Sequence, residues 1–359
     1  MKILHIGKAE NMKRYRPDTD FAGTVEVAEM TMGHTAEEYA AAMPDAEVIV
    51  ADAIADVPGA LMERLPELKM IHSEGVAYNR IDVEDASVRN IAVCNCAGMN
   101  ASAVAEQTIL LMQGMLKNVI ANDRAVREGR QILVKEQYMA EGSLRELADC
   151  KVGLVGFGDI GKSTALLLAA YGAEVYYYKR HRLEAEEEMK YHAMYLPLSD
   201  LLELCDIISL HLPVTKDTEK MCGHMFFEQM KPGAYFVNTS RGELVDDEAL
   251  AEALKSGKLA MAGLDTLDHE PVQKDHPLLN QPAEVAEKIF FTPHIGGITA
   301  SSFRRGYAMI WENLEISAVY PEKDIWCYTG YLFEEIISGA VGDGATAMSL
   351  LKCTDVLVD

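Results

Sequence analysis

A chain of 359 residues is long enough for two ordinary domains and a sizeable core. With 49% hydrophobic and 25% charged residues, its composition is that of a folded globular protein and excludes collagen-like, low-complexity and disordered classes. Lys plus Arg number 33 against 56 Asp plus Glu, and the net charge of -23 repels phosphate backbones and anionic lipid, so neither nucleic acid nor a membrane is an expected partner.

Along the first hundred residues, short apolar runs at Lys2 to Ile6, Val25 to Met30, Glu47 to Ala51, Leu68 to His72 and Ala92 to Asn95 read as strands. Helical periodicity separates them at Thr35 to Met43, Pro58 to Leu65 and Val83 to Asn90. Strand alternating with helix predicts a parallel, doubly wound sheet. From Ala101 to about Arg127 the spacing predicts one long helix, apolar around much of its circumference and expected to connect two domains, followed by an irregular polar segment from Glu128 to Asp149. The alternation restarts with strands at Val152 to Val155, Glu174 to Tyr178, Ile207 to His211, Ala234 to Asn238, Met261 to Leu264 and Ile289 to Thr292. Helices are expected at Gly161 to Tyr171, Leu198 to Glu203 and Asp246 to Ser256, and a last long one at Ser301 to Val319. The acidic run Glu184 to Glu188 reads as a solvated helix face. The expected division is 1–100, 101–295, a return helix in 296–321, and an unassigned C-terminal extension, 322–359.

The seven cysteines (94, 96, 150, 205, 222, 327 and 353) are scattered without a Cys-x-x-Cys pair. No metal site is expected, and a reducing cytoplasm is the expected compartment. The first apolar stretch gives way to Lys8, Glu10, Lys13 and Arg14, too soon for a signal peptide.

Residues 151–163, KVGLVGFGDIGKS, join an apolar strand to a helix through glycines and satisfy two patterns. Gly156, Gly158 and Gly161 fit the dinucleotide fingerprint, with Asp159 and Ile160 opening the helix; Gly156 through Lys162 and Ser163 also fit the phosphate loop of nucleoside triphosphatases. The next strand ends some twenty residues on, where a ribose-binding side chain belongs, in Lys179, Arg180, His181 and Arg182. An acidic residue there would suit the 2'-hydroxyl of NAD, whereas these cations suit the 2'-phosphate of NADP, so NADP is the expected cofactor with NAD possible.

Three further motifs follow strand ends: NTSRGELVDDEAL (238–250), AGLDTLDHEP (262–271) and FTPHIGG (291–297). Strand carboxyl ends line the crevice of an open α/β sheet, so Arg241, Asp265, Glu270 and His294 are expected to converge there. Reduction of a 2-oxo acid needs this set. Arginine binds the carboxylate with a planar fork, histidine gives a proton to the carbonyl oxygen, and a carboxylate behind the histidine orients it.

At these motifs the sequence resembles the D-isomer-specific 2-hydroxyacid dehydrogenase family, from about Ile3 to about Val319. The resemblance implies two doubly wound parallel-sheet domains, a Rossmann cofactor domain inserted into a split flavodoxin-like substrate domain. It implies a catalytic set of Arg241, Glu270 and His294, with Asp265 facing the nicotinamide. It further implies cofactor contacts from Leu212, Pro213 and Thr218 in HLPVTKDT, from Thr239, and from Gly296 and Gly297. Val76 and Ala77 in GVAYNRIDV match the loop whose amides bind the substrate carboxylate. Departures occur at Ala77, where the family often has Gly, at Ala97, often Pro, and at Lys179, acidic in NAD-using members. The implied activity is oxidation or reduction at C2 of a small 2-hydroxy or 2-oxo acid, such as glyoxylate, hydroxypyruvate or pyruvate, in a cytoplasmic homodimer. Transcriptional corepressors of this fold leave a cofactor-sensing scaffold as the alternative.

Overall fold

The computed structural model describes residues 1–319, and the unassigned extension 322–359 lies outside them. The chain divides into two units: Met1–Asn100 with the described residues from Ala300, and Ala101–Thr299.

In the first unit, β1 (Lys2–Ile6), β2 (Glu26–Met30), β3 (Val48–Ala51), β4 (Met70–Ser73) and β5 (Ala92–Cys94) pair in parallel in the order β2-β1-β3-β4-β5. This 2-1-3-4-5 order is that of flavodoxin-like sheets. Parallel strands need crossovers, and the crossovers cover both faces, which is why these strands read as near-continuous apolar runs. One face packs Ile49, Leu61, Leu65 and Ile71 with Tyr39 of the helix Ala36–Ala42, which Thr35 and Glu38 start with a reciprocal capping box. The other face packs Ile3, Val50 and Met70 under Tyr307, Ile310, Trp311 and Leu314 of the helix Ala300–Val319.

The second unit holds seven parallel strands, β6 (Lys151–Val155), β7 (Glu174–Tyr178), β8 (Ala193–Tyr195), β9 (Ile207–Leu210), β10 (Ala234–Asn238), β11 (Leu259–Leu264) and β12 (Ile289–Phe291). Their order is β12-β11-β10-β9-β6-β7-β8. Counted from β6 this is the 3-2-1-4-5-6 winding of dinucleotide-binding sheets with one strand added at the far edge. The chain moves outward from β6 through β7 and β8, then crosses back to β9, so the switch point lies at the carboxyl ends of β6 and β9. This order answers the ambiguity of the glycine motif in favour of a dinucleotide.

Several elements depart from expectation. The helix expected from Ala101 to Arg127 is two, Ala101–Leu116 and Val119–Arg127, because Asn118 takes a left-handed conformation (φ 49°) and breaks it. The first of these begins where the chain passes from the first unit into the second. Ile109, Leu111, Met112, Met115 and Leu116 are buried in the core of the second unit, against Val152, Ala165 and Leu168. Phe290 lies where a Cβ on Gly114 would be, at 2.1 Å, so this glycine permits close approach to β12. The polar segment after Glu128 contains a further helix, Gln131–Glu141, none of whose residues is buried. Exposed apolar residues concentrate on these later helices, at Val119, Ile120, Val126, Ile132, Leu133 and Met139. No helix of the described residues is long and apolar enough to cross a membrane.

Candidate active site

The glycine turn after β6 has the shape a dinucleotide requires. Gly156 has φ +96°, and a Cβ there would stand 2.1 Å from the His211 carbonyl oxygen, so only glycine fits. Gly158 caps the helix Asp159–Ala170 and has no atom within 4 Å of its Cβ position, leaving the backbone open to a pyrophosphate at the helix N-terminus. Gly161 packs against the Gly156 carbonyl, 2.8 Å from its Cβ position. The three glycines thus divide the tasks of turn, approach and packing, and Asp159 and Ile160 occupy the helix's first turn. Lys162, which a triphosphatase would aim at phosphate, instead pairs with Glu187 at 3.0 Å. Next to the turn, Leu212 approaches Gly156, and Thr218 donates to the Pro213 carbonyl at 2.8 Å, closing that loop on itself. His211 is fully buried, and burial pushes its imidazole down to about 3, so it is neutral there.

The basic cluster after β7 is divided. Arg182 makes a bidentate pair with Glu188, Nε to Oε1 and Nη2 to Oε2 both at 2.8 Å, and Tyr177 donates to the same carboxylate at 2.8 Å. The Arg182 bond holds the Glu188 carboxyl below its ordinary range. The run Glu184 to Glu188 is therefore not a purely solvated face, since Glu187 and Glu188 tie the helix Ala185–Tyr191 to the glycine helix and to the basic turn. Lys179 and Arg180 have no ion-pair partner among the described residues.

Arg241, Asp265 and His294 follow β10, β11 and β12 within a few residues. His294 Nδ1 lies 2.6 Å from Glu270 Oε2, and the other oxygen of Glu270 accepts from the Leu267 amide at 3.1 Å. The Nδ1 contact leaves the opposite ring nitrogen for chemistry. His294 has φ +53°, a left-handed conformation uncommon for a residue with a side chain. Arg241 is exposed, donates to the Ser240 carbonyl at 2.7 Å, and has no carboxylate partner among the described residues. Its own carbonyl accepts from Asn238 at 2.7 Å, which bends the chain out of β10. Glu270 and His294 share a cleft of about 470 Å³ with Leu267, Leu279 and Phe291.

Asp265 is 2% exposed and its carboxylate is filled by the protein itself. Oδ1 accepts from the Thr292 hydroxyl (2.5 Å) and the Ile295 amide (3.1 Å), and Oδ2 accepts from the Gly296 amide (2.9 Å). This aspartate therefore organises the loop that carries His294, and Gly297 follows directly on that loop. Two neighbours on the helix Ala101–Leu116 complete the arrangement and were not foreseen: Gln107 donates to Thr292 Oγ1 at 2.9 Å, and Thr108 bonds Thr239 at 2.9 Å. The signal available in the sequence was the polar run Glu106-Gln107-Thr108 inside a mostly apolar helix.

In the first unit, the loop after β4 carries Val76 and Ala77, whose backbone N–H groups have no acceptor among the described residues. The loop is braced around them. Ser73 Oγ donates to the Ala77 carbonyl (2.6 Å), Asn95 donates to the Val76 carbonyl (2.8 Å), and the Cys96 amide donates to the Gly75 carbonyl (2.9 Å).

Comparison with known proteins bears on both units. Residues 109–296 match the family described as D-isomer specific 2-hydroxyacid dehydrogenase, NAD binding domain. A glyoxylate reductase of Korarchaeum cryptofilum is 34% identical over 270 residues, 75% of this chain and 79% of that protein. The dehydrogenase efuE of Hormonema carpetanum is 34% identical over 251 residues, 70% of this chain; the match spans 60% of its length. Among solved structures, the NAD-complexed D-isomer specific 2-hydroxyacid dehydrogenase of Lactobacillus delbrueckii ssp. bulgaricus superposes with a TM-score of 0.74 at 26% identity, covering 89% of this chain and 97% of that one. Residues 308–359 also match a 4Fe-4S single cluster domain. Such clusters are held by cysteine thiolates, as a rule four. This stretch has two cysteines, Cys327 and Cys353, and its first part belongs to the helix Ala300–Val319, whose Ile310, Trp311 and Leu314 are committed to the core. The residues present do not fit a cluster.

Proposed function

The chain belongs to the D-isomer-specific 2-hydroxyacid dehydrogenase family, and on that premise we propose that it reduces a small 2-oxo acid of the glyoxylate or hydroxypyruvate type with NADPH in preference to NADH. As a nicotinamide-dependent 2-hydroxyacid dehydrogenase it is an enzyme, and neither the scaffold nor the triphosphatase alternative is favoured. The observation that carries the residue assignment is the 2.6 Å contact between His294 and Glu270, at the end of the sheet where the strands' carboxyl termini also lead to Arg241.

When bound, the reduced nicotinamide supplies the hydride that C2 of the acid receives. The open backbone at Gly158 and the amides opening the helix Asp159–Ala170 would hold the pyrophosphate. Lys179 and Arg180 would hold the 2'-phosphate. Arg241 presents a guanidinium fork for the acid's carboxylate and polarises its carbonyl. The free amides of Val76 and Ala77 offer further donors to a carboxylate. His294 holds a proton at the ring nitrogen opposite Glu270 and delivers it to the carbonyl oxygen, while Glu270 fixes the ring's orientation. Asp265 keeps that loop in place from beneath. By this assignment residues 101–295 hold the coenzyme and carry the catalytic set, and residues 1–100 with the return helix in 296–321 form the substrate domain.

We propose further that the protein works as a cytoplasmic homodimer, the second copy covering the exposed apolar residues of the helices Val119–Arg127 and Gln131–Glu141. Light scattering on the wild type and on a variant with Ile132 and Leu133 replaced by Asp tests the dimer; a monomeric wild type refutes it. The catalytic assignment is tested by His294→Ala, which removes general acid catalysis and should lower turnover by ~10²- to 10⁴-fold with coenzyme affinity intact. Near-normal turnover in that variant would show that another group supplies the proton.

A further inference from the structure

We propose that Gln107 is a positioning residue for His294, bonded to one end of the loop that bears it and lying beside the other. The inference rests on His294 being the proton donor. Gln107 is 8% exposed in a helix whose other buried side chains are mostly apolar, so its amide is costly to bury unless bonded. Its Nε2 donates to Thr292 Oγ1 at 2.9 Å, and Thr292 in turn donates to Asp265. Its Cβ and Cγ lie 3.4 Å from where Gly296 would carry a Cβ, so the stem supports the backbone there. Thr292 and Gly296 stand two residues on either side of His294. One side chain thus bonds one anchor and lies beside the other, in a loop whose central residue holds a left-handed backbone conformation.

The donor role is directional. Asp265 Oδ1 accepts the hydrogen bond that the Thr292 hydroxyl donates, which leaves the Thr292 oxygen as an acceptor, and Gln107 supplies the N–H. Without it, a half-buried hydroxyl is left with an unused acceptor and the loop loses one of its anchors. Shifts of about 1 Å at a reacting group cost up to ~10²-fold in rate. A loosened loop is a smaller perturbation than loss of the acid, and roughly tenfold in kcat is expected.

The test compares wild type with Gln107→Met, which keeps the stem and removes the donor, and Thr292→Val, which cuts the next link. Three readouts apply to each: kcat and KM for glyoxylate reduction, the primary isotope effect with 4-deuterated reduced nicotinamide, and, without coenzyme, the low-field proton of His294 in spectra of histidine-labelled protein, identified by its loss in His294→Ala. Both variants should lose roughly tenfold in kcat with KM for coenzyme unchanged. The isotope effect should rise because hydride transfer becomes more limiting, and the low-field proton should broaden or vanish. Their double variant should lose no more than either alone, because both cut one chain. Wild-type kcat, isotope effect and low-field proton in a folded Gln107→Met overturn the proposal; should that variant fail to fold, the same results in Thr292→Val overturn it. Near-normal turnover in His294→Ala instead overturns the proton-donor assignment on which it rests, and is read separately.

Discussion

Coenzyme choice should rest on two cations and not on the third. Arg182 is held by Glu188 through two bonds of 2.8 Å, with Tyr177 adding a third donor to the carboxylate, so recruiting it to a phosphate means breaking a bidentate pair. Lys179 and Arg180 have no such commitment among the described residues. A hydrogen bond to a charged group contributes about 1.5–3 kcal/mol, and at this open site the lower figure applies to each, giving about 3 kcal/mol for the pair, or roughly 100-fold. Lys179→Asp with Arg180→Ala should therefore move the ratio of kcat/KM for NADPH over NADH by roughly 100-fold, chiefly through KM for NADPH. The new carboxylate repels the phosphate and accepts from a ribose hydroxyl. Arg182→Ala alone should change the ratio by less than about threefold, while Glu188→Gln, which releases Arg182, should raise the NADPH preference several-fold. Initial rates followed by nicotinamide absorbance at fixed oxo acid measure all four proteins. Equal or better efficiency of the wild type with NADH, or an unchanged ratio in the double variant, would refute the reasoning. A collapse of NADPH use in Arg182→Ala would show that this arginine leaves Glu188 for the phosphate.

Arg241→Lys should raise KM for the oxo acid and lower kcat together, because a point charge cannot reproduce a two-bond fork, and near-normal efficiency on every accepted acid would make Arg241 structural. Gly156→Ala should abolish coenzyme binding or folding, since the new Cβ would stand 2.1 Å from a carbonyl oxygen at φ +96°; a soluble variant with normal coenzyme affinity, measured by fluorescence titration, would contradict the turn's geometry. Stability should fall between pH 6.5 and pH 5. Burial lowers His72 to about 4 and His211 to about 3, so in that window the unfolded chain takes up protons that the folded one refuses. Each contributes a loss of about 2 kcal/mol by pH 5, and His72→Gln should remove its share in urea titrations at the two pH values. Equal stability at pH 7.5 and pH 5 would contradict both assignments.

What was legible in the sequence follows from where burial leaves a trace. Strands covered on both faces are continuous apolar runs, so all but one were readable, and the glycine turn was readable because each glycine answers a separate steric demand. β8 was not, since Ala193–Tyr195 is three residues at a sheet edge, behind an acidic helix. The helix Gln131–Glu141 buries nothing, so no apolar stripe announced it. The break at Asn118 was missed, although asparagine readily takes the left-handed conformation that ends a helix. The partners of His294 were named from chemistry, but pairings such as Arg182 with Glu188, or Gln107 with Thr292 across 185 positions, depend on three-dimensional packing that no local pattern carries.

In the proposed reaction, reduction of a small 2-oxo acid at C2 takes its hydride from the nicotinamide and its proton from His294. The most direct measurement follows reduced nicotinamide absorbance with the purified protein, NADPH or NADH, and a panel including glyoxylate, hydroxypyruvate, pyruvate and larger 2-oxo acids, with chiral analysis of the product. Oxidation of the coenzyme should depend on the acid, be fastest with the smallest acids and NADPH, and yield the D-hydroxy acid wherever the product is chiral. No acid-dependent oxidation with either coenzyme, or an L product, would contradict it.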